Sequence, residues 1–224
     1  RIGDWSSDVC SSDLNNIMSQ NIPNDTVICI SREYGSGGRE IAETLAQKLN
    51  IPCYDKLLIQ KAAKESGYSE EFLNEYGERP LSINNLLAGN PFSDTVTMAH
   101  SFYPESQIAF DIERKTILEI AQKGGGVIVG RCASSIMSGR KHMISVFIYA
   151  DQKARIERVM VRNQISEAEA RKRIHKIDRM RKRHFDFYAD TIWGHPESYD
   201  LMLSSSHFGI DRCVELITES IANK

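Results

Sequence analysis

The sequence predicts an α/β fold, a parallel sheet with helices on both faces, and three observations predict it. Short apolar runs alternate with segments of helical spacing along most of the chain, the pattern of strands joined by helical crossovers. One run, HMISVFIYA at residues 142–150, is apolar on both alternating faces, as a central parallel strand is. Finally, a glycine-rich stretch, the pair Asp55 and Lys56, and the pair Gly130 and Arg131 each follow a predicted strand or extended piece. Open parallel sheets bind their ligands at those carboxyl ends.

Taken in order, the first 17 residues are polar, serine-rich and aperiodic, and they begin without methionine. They resemble translated adapter DNA, so they are read as a non-native leader, with Met18 as the native start and 18–224 as one domain. Residues 27–31 (VICIS) form the first strand. Residues 38–49 form a helix, with Ile41, Leu45 and Leu49 on one face. IPCYD at 51–55 is extended, because a residue before proline is driven toward β geometry. Residues 56–65 are helical. Residues 67–104 hold scattered glycines and prolines without a long period, which reads as a mobile insert of short helices and loops.

Pro104 fits the start of a long helix carrying Ile108, Ile112, Leu118 and Ala121. A strand follows within 124–131, ending in Gly130 and Arg131, and then the strand at 142–150. Two charged helices come next, 153–163 and 166–183, the second opening on Ser166 and Glu169 in a capping-box pattern. A last strand within 199–206 and a last helix over 210–222 complete the chain.

Composition excludes several classes. With 28 Lys and Arg against 30 Asp and Glu the net charge is −2, which argues against a uniformly basic nucleic-acid binder. Five cysteines with no C-x-x-C spacing suit a reducing cytoplasm and offer no zinc site. No run approaches the roughly 20 apolar residues of a membrane helix.

The stretch SREYGSGGREIA at 31–42 lies between the first strand and its helix. Glycines there would let successive backbone N–H groups converge on an anion, with the helix N-terminus behind them. The usual phosphate loop ends in G-K-[ST], its lysine reaching the β- and γ-phosphates. Here the lysine is absent. One register puts Gly38 at the lysine position and Arg39 at the Ser/Thr position. The other makes Arg39 the substitute, with Glu40 where Mg²⁺ would be held. Read alone, the stretch fits a phosphate cradle or a plain strand-to-helix turn.

Three segments in order add to this: SREYGSGGREIAETLAQKLNIPCYDKLLI, VIVGRCA and DRMRKRHFDFYADTIWGHPESYDLMLSSSHFGID. Together they resemble the cytidylate kinase-like family, related to bacterial (d)CMP kinases among the P-loop nucleoside monophosphate kinases. The resemblance implies a P-loop kinase fold with an acceptor-binding insert at about 67–104 and an arginine-rich lid at about 164–190. It implies that Gly35, Ser36, Gly37, Gly38, Arg39 and Glu40 cradle the donor phosphates, and that Asp55 and Lys56 contact the acceptor. Arg131 matches the arginine of a G-R-D segment that grips the acceptor phosphate, with Cys132 replacing the aspartate, a departure that bears on cytosine and deoxyribose selectivity. Arg179 and Arg181 fall in the lid, where arginines close over the transferring group.

The implied reaction is ATP- and Mg²⁺-dependent phosphorylation of a nucleoside monophosphate, CMP or dCMP first, in the cytoplasm. Arg39, Arg131, Arg179 and Arg181 would neutralise charge, and small nucleotides would be the partners. Residues 153–183 hold twelve Lys or Arg against four Asp or Glu, and Arg155, Arg158 and Arg162 share a helical face. Nucleic acid as the main ligand would leave the glycine loop and Arg131 without a use. Two rival readings are a regulator that binds nucleotide without transfer, and a kinase for another small acceptor. Cys132 reads as a packed side chain, His175, His184 and His195 as surface or lid positions, and Asp178 as a partner for lid arginines.

Overall fold

A computed structural model describes residues 23, 25–77 and 105–222. The leader, Met18 and residues 78–104 of the expected insert lie outside the described residues. Among the described residues five strands form one parallel sheet: β1 (Val27–Arg32), β2 (Cys53–Tyr54), β3 (Gly126–Val129), β4 (Met143–Tyr149) and β5 (Leu201–Ser204). Their order is β2-β3-β1-β4-β5. The central strand runs in register with β3 from Val27 opposite Gly126, and with β4 from Val27 opposite Met143.

The alternation of side chains along β1 builds two cores. Ile28 and Ile30 pack on one face with Ile41 and Leu45 of α1 (Gly38–Leu49) and with Val214 and Ile217 of the last helix. Val27 and Cys29 pack on the other, with Leu58 and Ile59 of α2 (Lys56–Ser66), Leu73 of α3 (Glu70–Tyr76) and Ile117 of α4 (Glu105–Gln122). Each fully buried isoleucine or leucine contributes about 1.5–3 kcal/mol relative to exposure. A strand buried on both faces reads as an unbroken apolar run, which is how VICI appears.

After β3 comes the short turn of helix α5 (Ala133–Ile136). Beyond β4 the helices α6 (Gln152–Asn163) and α7 (Glu167–Tyr188) form a hairpin packed through Ile156, Val159, Ala170 and Ile174. The capping box at Ser166 and Glu169 is present in full. Helix α7 continues to Tyr188 rather than stopping at 183, and this corrects one expectation. His184 is buried, 3% exposed, against Phe110 and Tyr188, and not on the surface. The last helix, α8 (Ser205–Ala222), starts five residues earlier than the sequence suggests and bends at Gly209, whose backbone is non-helical (φ 78°, ψ 172°).

The W-G-x-P-x-x-Y-D-L run is fastened to β4. Trp193 sets its edge against Phe147 at 5.1 Å, and Tyr199 meets the same ring at 5.0 Å. Asp200 Oδ2 accepts from the N–H and the hydroxyl of Ser145 at 2.7 and 2.9 Å. These contacts fix where β5, and therefore α8, begin behind the glycine loop.

Candidate active site

The glycine loop follows the central strand. Gly35 (φ 83°) and Gly37 (φ 79°) both take the left-handed conformation that L side chains disfavour. Space is short there as well. A Cβ on Gly35 would lie 2.9 Å from the carbonyl oxygen of Arg155, and one on Gly37 would lie 2.0 Å from Nη1 of Arg158. Ser36 has no exposed surface and donates from Oγ to the carbonyl of Glu33 at 2.9 Å. From behind, the hydroxyl of Ser205 donates to the carbonyl of Ser36. No side chain caps α1, so its first N–H groups are available to an anion.

A cavity of about 640 Å³ opens in front of this loop. Its lining includes Arg32, Arg39, Lys56, Arg158, Arg162 and Arg181, against the carboxylates of Glu33, Glu40, Glu43 and Asp55. Six cations around uncapped backbone donors suit a polyphosphate. The structure therefore brings together Gly35, Gly37, Gly38, Arg39, Glu40, Asp55, Lys56 and Arg181 of the predicted site, with Ser36 buried beneath.

Arg39 is engaged within this cavity. Its Nε lies 3.0 Å from both Glu43 Oε1 and Asp55 Oδ2. Partial burial opposes its charge, but Asp55 and Glu43 outweigh that and raise its pKa. Glu40 is exposed and makes no ion pair among the described residues.

A buried network ties α7 to the loop. Arg155, 8% exposed, donates from Nε to the carbonyl of Tyr34 at 2.9 Å, meets Glu33 Oε1 at 3.1 Å, and pairs with Asp178 Oδ2. The other oxygen of Asp178 accepts the N–H of Tyr34 at 2.7 Å. Burial pushes the Glu33 carboxyl above its ordinary value, and Arg155 and the N–H of Ala150 only partly oppose this. Arg181, two residues along α7 from Arg179, donates to the carbonyl of Arg32 at 3.2 Å and lies over the Tyr34 ring.

Arg131 and Arg179 stand apart from this cavity. Arg131 is held by Glu113, which has no exposed surface, at 2.5 Å, and by the carbonyl of Leu73 at 3.3 Å. Arg131 and Cys132 both have positive φ, 55° and 54°, an arrangement that costs about 1–2 kcal/mol per residue. They border a second pocket of about 20 Å³, room for a single water, which Arg32 and Arg181 also line. Arg179 is exposed on the outer side of α7, in a shallow groove with Lys172, His175 and Lys176. Two positions along a helix of 3.6 residues per turn differ by about 200°, so Arg179 and Arg181 cannot both face the loop.

Sequence alone does not single out Arg32, and it places Arg158 and Arg162 only on a shared helical face. Arg32 carries the signal of lying at the end of a strand. The other two are spaced i, i+4 on one helical face, a spacing equally compatible with a solvated surface.

With its loop after the central strand of a parallel sheet in this order, the chain has the fold of the P-loop kinases. Comparison fixes the family: residues 27–207 match the cytidylate kinase-like family, and the chain belongs to it. It is 25% identical to a protein of Methanococcus aeolicus named cytidylate kinase, over 88% of this chain and 98% of that protein. A local match of 28% identity to a uronate isomerase of Corynebacterium glutamicum covers 46% of this chain and 20% of that protein. Among solved structures, an uncharacterized protein of Eubacterium ventriosum shares 29% identity at a TM-score of 0.68, covering 89% of this chain and 99% of that one.

Proposed function

We propose that this protein transfers the γ-phosphoryl group of ATP to a nucleoside monophosphate, with CMP and dCMP as the first acceptors to test. The observation that carries this reading is the uncapped glycine loop facing six cationic side chains at the carboxyl end of the sheet. Membership of the cytidylate kinase-like family supports it, as does the printed name of the Methanococcus aeolicus relative.

The loop would hold the donor phosphates through backbone N–H groups, with Arg158 and Arg162 above it and Arg181 closing from α7. Asp55 and Lys56, across the cavity, would face the acceptor. Arg131 would act from the neighbouring pocket while anchored by Glu113, and Arg179 only if α7 turns. An acceptor phosphate oxygen attacks directly, so no side chain serves as nucleophile. Phosphoryl transfer needs positioning and charge neutralisation more than covalent chemistry. Mg²⁺ would supply charge neutralisation at the phosphates, and Glu40 is the carboxylate available to hold it, in keeping with a metal that takes few protein ligands.

The test is incubation of the full chain with ATP, Mg²⁺ and each nucleoside monophosphate, reading diphosphates by chromatography. CDP or dCDP is expected. A second reading, a nucleotide-binding regulator, is favoured by Arg39 and Arg131 both being matched by carboxylates. ATP binding with no diphosphate from any acceptor would select it.

A further inference from the structure

The place of the missing lysine is filled, and the filling explains the glycine. Helix α1 begins at Gly38, directly after Gly37 in its left-handed cap. A Cβ on Gly38 would lie 2.6 Å from Cβ and 3.1 Å from Cγ of Arg32, with Ile148 Cβ at 3.3 Å. Such a clash involves the root of the Arg32 side chain, so rotating its far end cannot relieve it. No lysine fits at position 38 while Arg32 keeps its place.

From that root the Arg32 side chain crosses to the end of β3. A Cβ on Gly130 would meet Arg32 Nη1 at 2.0 Å and Cζ at 3.1 Å. Gly130 itself takes positive φ, 74°, so its backbone favours glycine whatever Arg32 does, and the contact marks only where the guanidinium lies. Arg32 lines both the loop cavity and the small pocket at Arg131, between the groups assigned to donor and acceptor. Arg181 steadies its backbone through the bond to the Arg32 carbonyl.

We propose that Arg32 takes over the work of the absent P-loop lysine, its guanidinium reaching the transferring phosphoryl group from the end of β1. The inference rests on the donor-site reading above. Arg39, the nearer candidate by sequence, lines the loop cavity alone, whereas Arg32 lines both that cavity and the pocket at Arg131. A guanidinium keeps its charge and offers two parallel donors to phosphate. In the step it serves, an acceptor oxygen bonds to the γ-phosphorus as the bond to the β,γ-bridging oxygen breaks and ADP leaves. Arg32 supplies charge and gives up no proton.

The experiment compares the full-length protein with Arg32→Ala, Gly38→Lys and the exchange R32G/G38K. ATP and ADP affinities are read by calorimetry, transfer by diphosphate formation, and folding by circular dichroism. The unmutated protein is expected to bind ATP more tightly than ADP. Arg32→Ala should abolish that preference while holding ADP affinity within about threefold, and slow transfer about 10²–10³-fold. Gly38→Lys alone should unsettle the loop, and the exchange should restore the ATP preference. An ATP-to-ADP affinity ratio unchanged in Arg32→Ala, or equal losses for both nucleotides, would overturn the proposal. Should Arg32→Ala not fold, the exchange decides: a folded exchange variant without ATP preference overturns it. No diphosphate from the unmutated protein removes the kinase reading alone, because the affinity ratio still judges Arg32.

Discussion

Arg131 is bound to Glu113, a carboxylate without exposed surface, and this changes what its removal would measure. A role confined to the acceptor phosphate would have Arg131→Ala depress turnover far more than folding. Removing the guanidinium takes an ion-pair partner from that buried carboxylate, at a cost of about 3–5 kcal/mol. Urea denaturation should show that loss, and Arg131→Leu with Glu113→Leu should recover most of it. Unchanged stability in Arg131→Ala would mean that Glu113 finds another partner. At Gly37 conformation and space act together. Gly37→Ala should weaken ATP binding more than tenfold for a left-handed penalty of about 1–2 kcal/mol, which titration and melting measure separately.

Helix α7 is joined to the loop by Asp178, which accepts from Tyr34 and pairs with Arg155. Severing it with Asp178→Ala should leave the sheet intact and loosen the hairpin. Amide exchange over residues 167–188 is expected to speed up while β1 and β4 stay protected. Uniform protection in the variant would show that the hairpin is held without Asp178. At the other end of the helix, Ser166→Ala removes the hydroxyl half of the capping box and leaves the backbone N–H of residue 166 to the Glu169 carboxylate; it should cost about 1 kcal/mol, read from the thermal midpoint with α7 otherwise unchanged.

Across the molecule, stability should carry a pH signature from Glu33. Burial raises its folded pKa above the ordinary 4.5, so the folded state holds this proton more tightly than the unfolded chain. Its contribution is therefore present below 4.5 and lost as the pH rises through the raised folded value. Melting across that window should show a fall in the unmutated protein that Glu33→Gln lacks. A parallel slope in both would assign the effect elsewhere. ATP binding should also weaken as salt rises, since the cavity lining carries more cations than carboxylates.

Local chemistry determined the sheet, because a strand buried on both faces and a helix with one apolar face announce themselves by period. VICIS, HMISVFIYA and the Ile41–Leu45–Leu49 face all lie where periodicity placed them. The glycines of the loop were legible for the same reason, since positive φ and close backbone approach leave few other residues. Tertiary structure alone decided which arginines line the cavity. Arg39, Arg131, Arg155, Arg179 and Arg181 are alike in sequence, and distant partners separate them: Asp55, Glu113, Asp178 with Glu33, open solvent, and the carbonyl of Arg32. Long cationic side chains take their direction from whatever carboxylate or carbonyl the fold brings near, and that pairing has no local period. Arg32 stayed hidden on the same ground, for only the packed loop shows the root of its side chain set against Gly38.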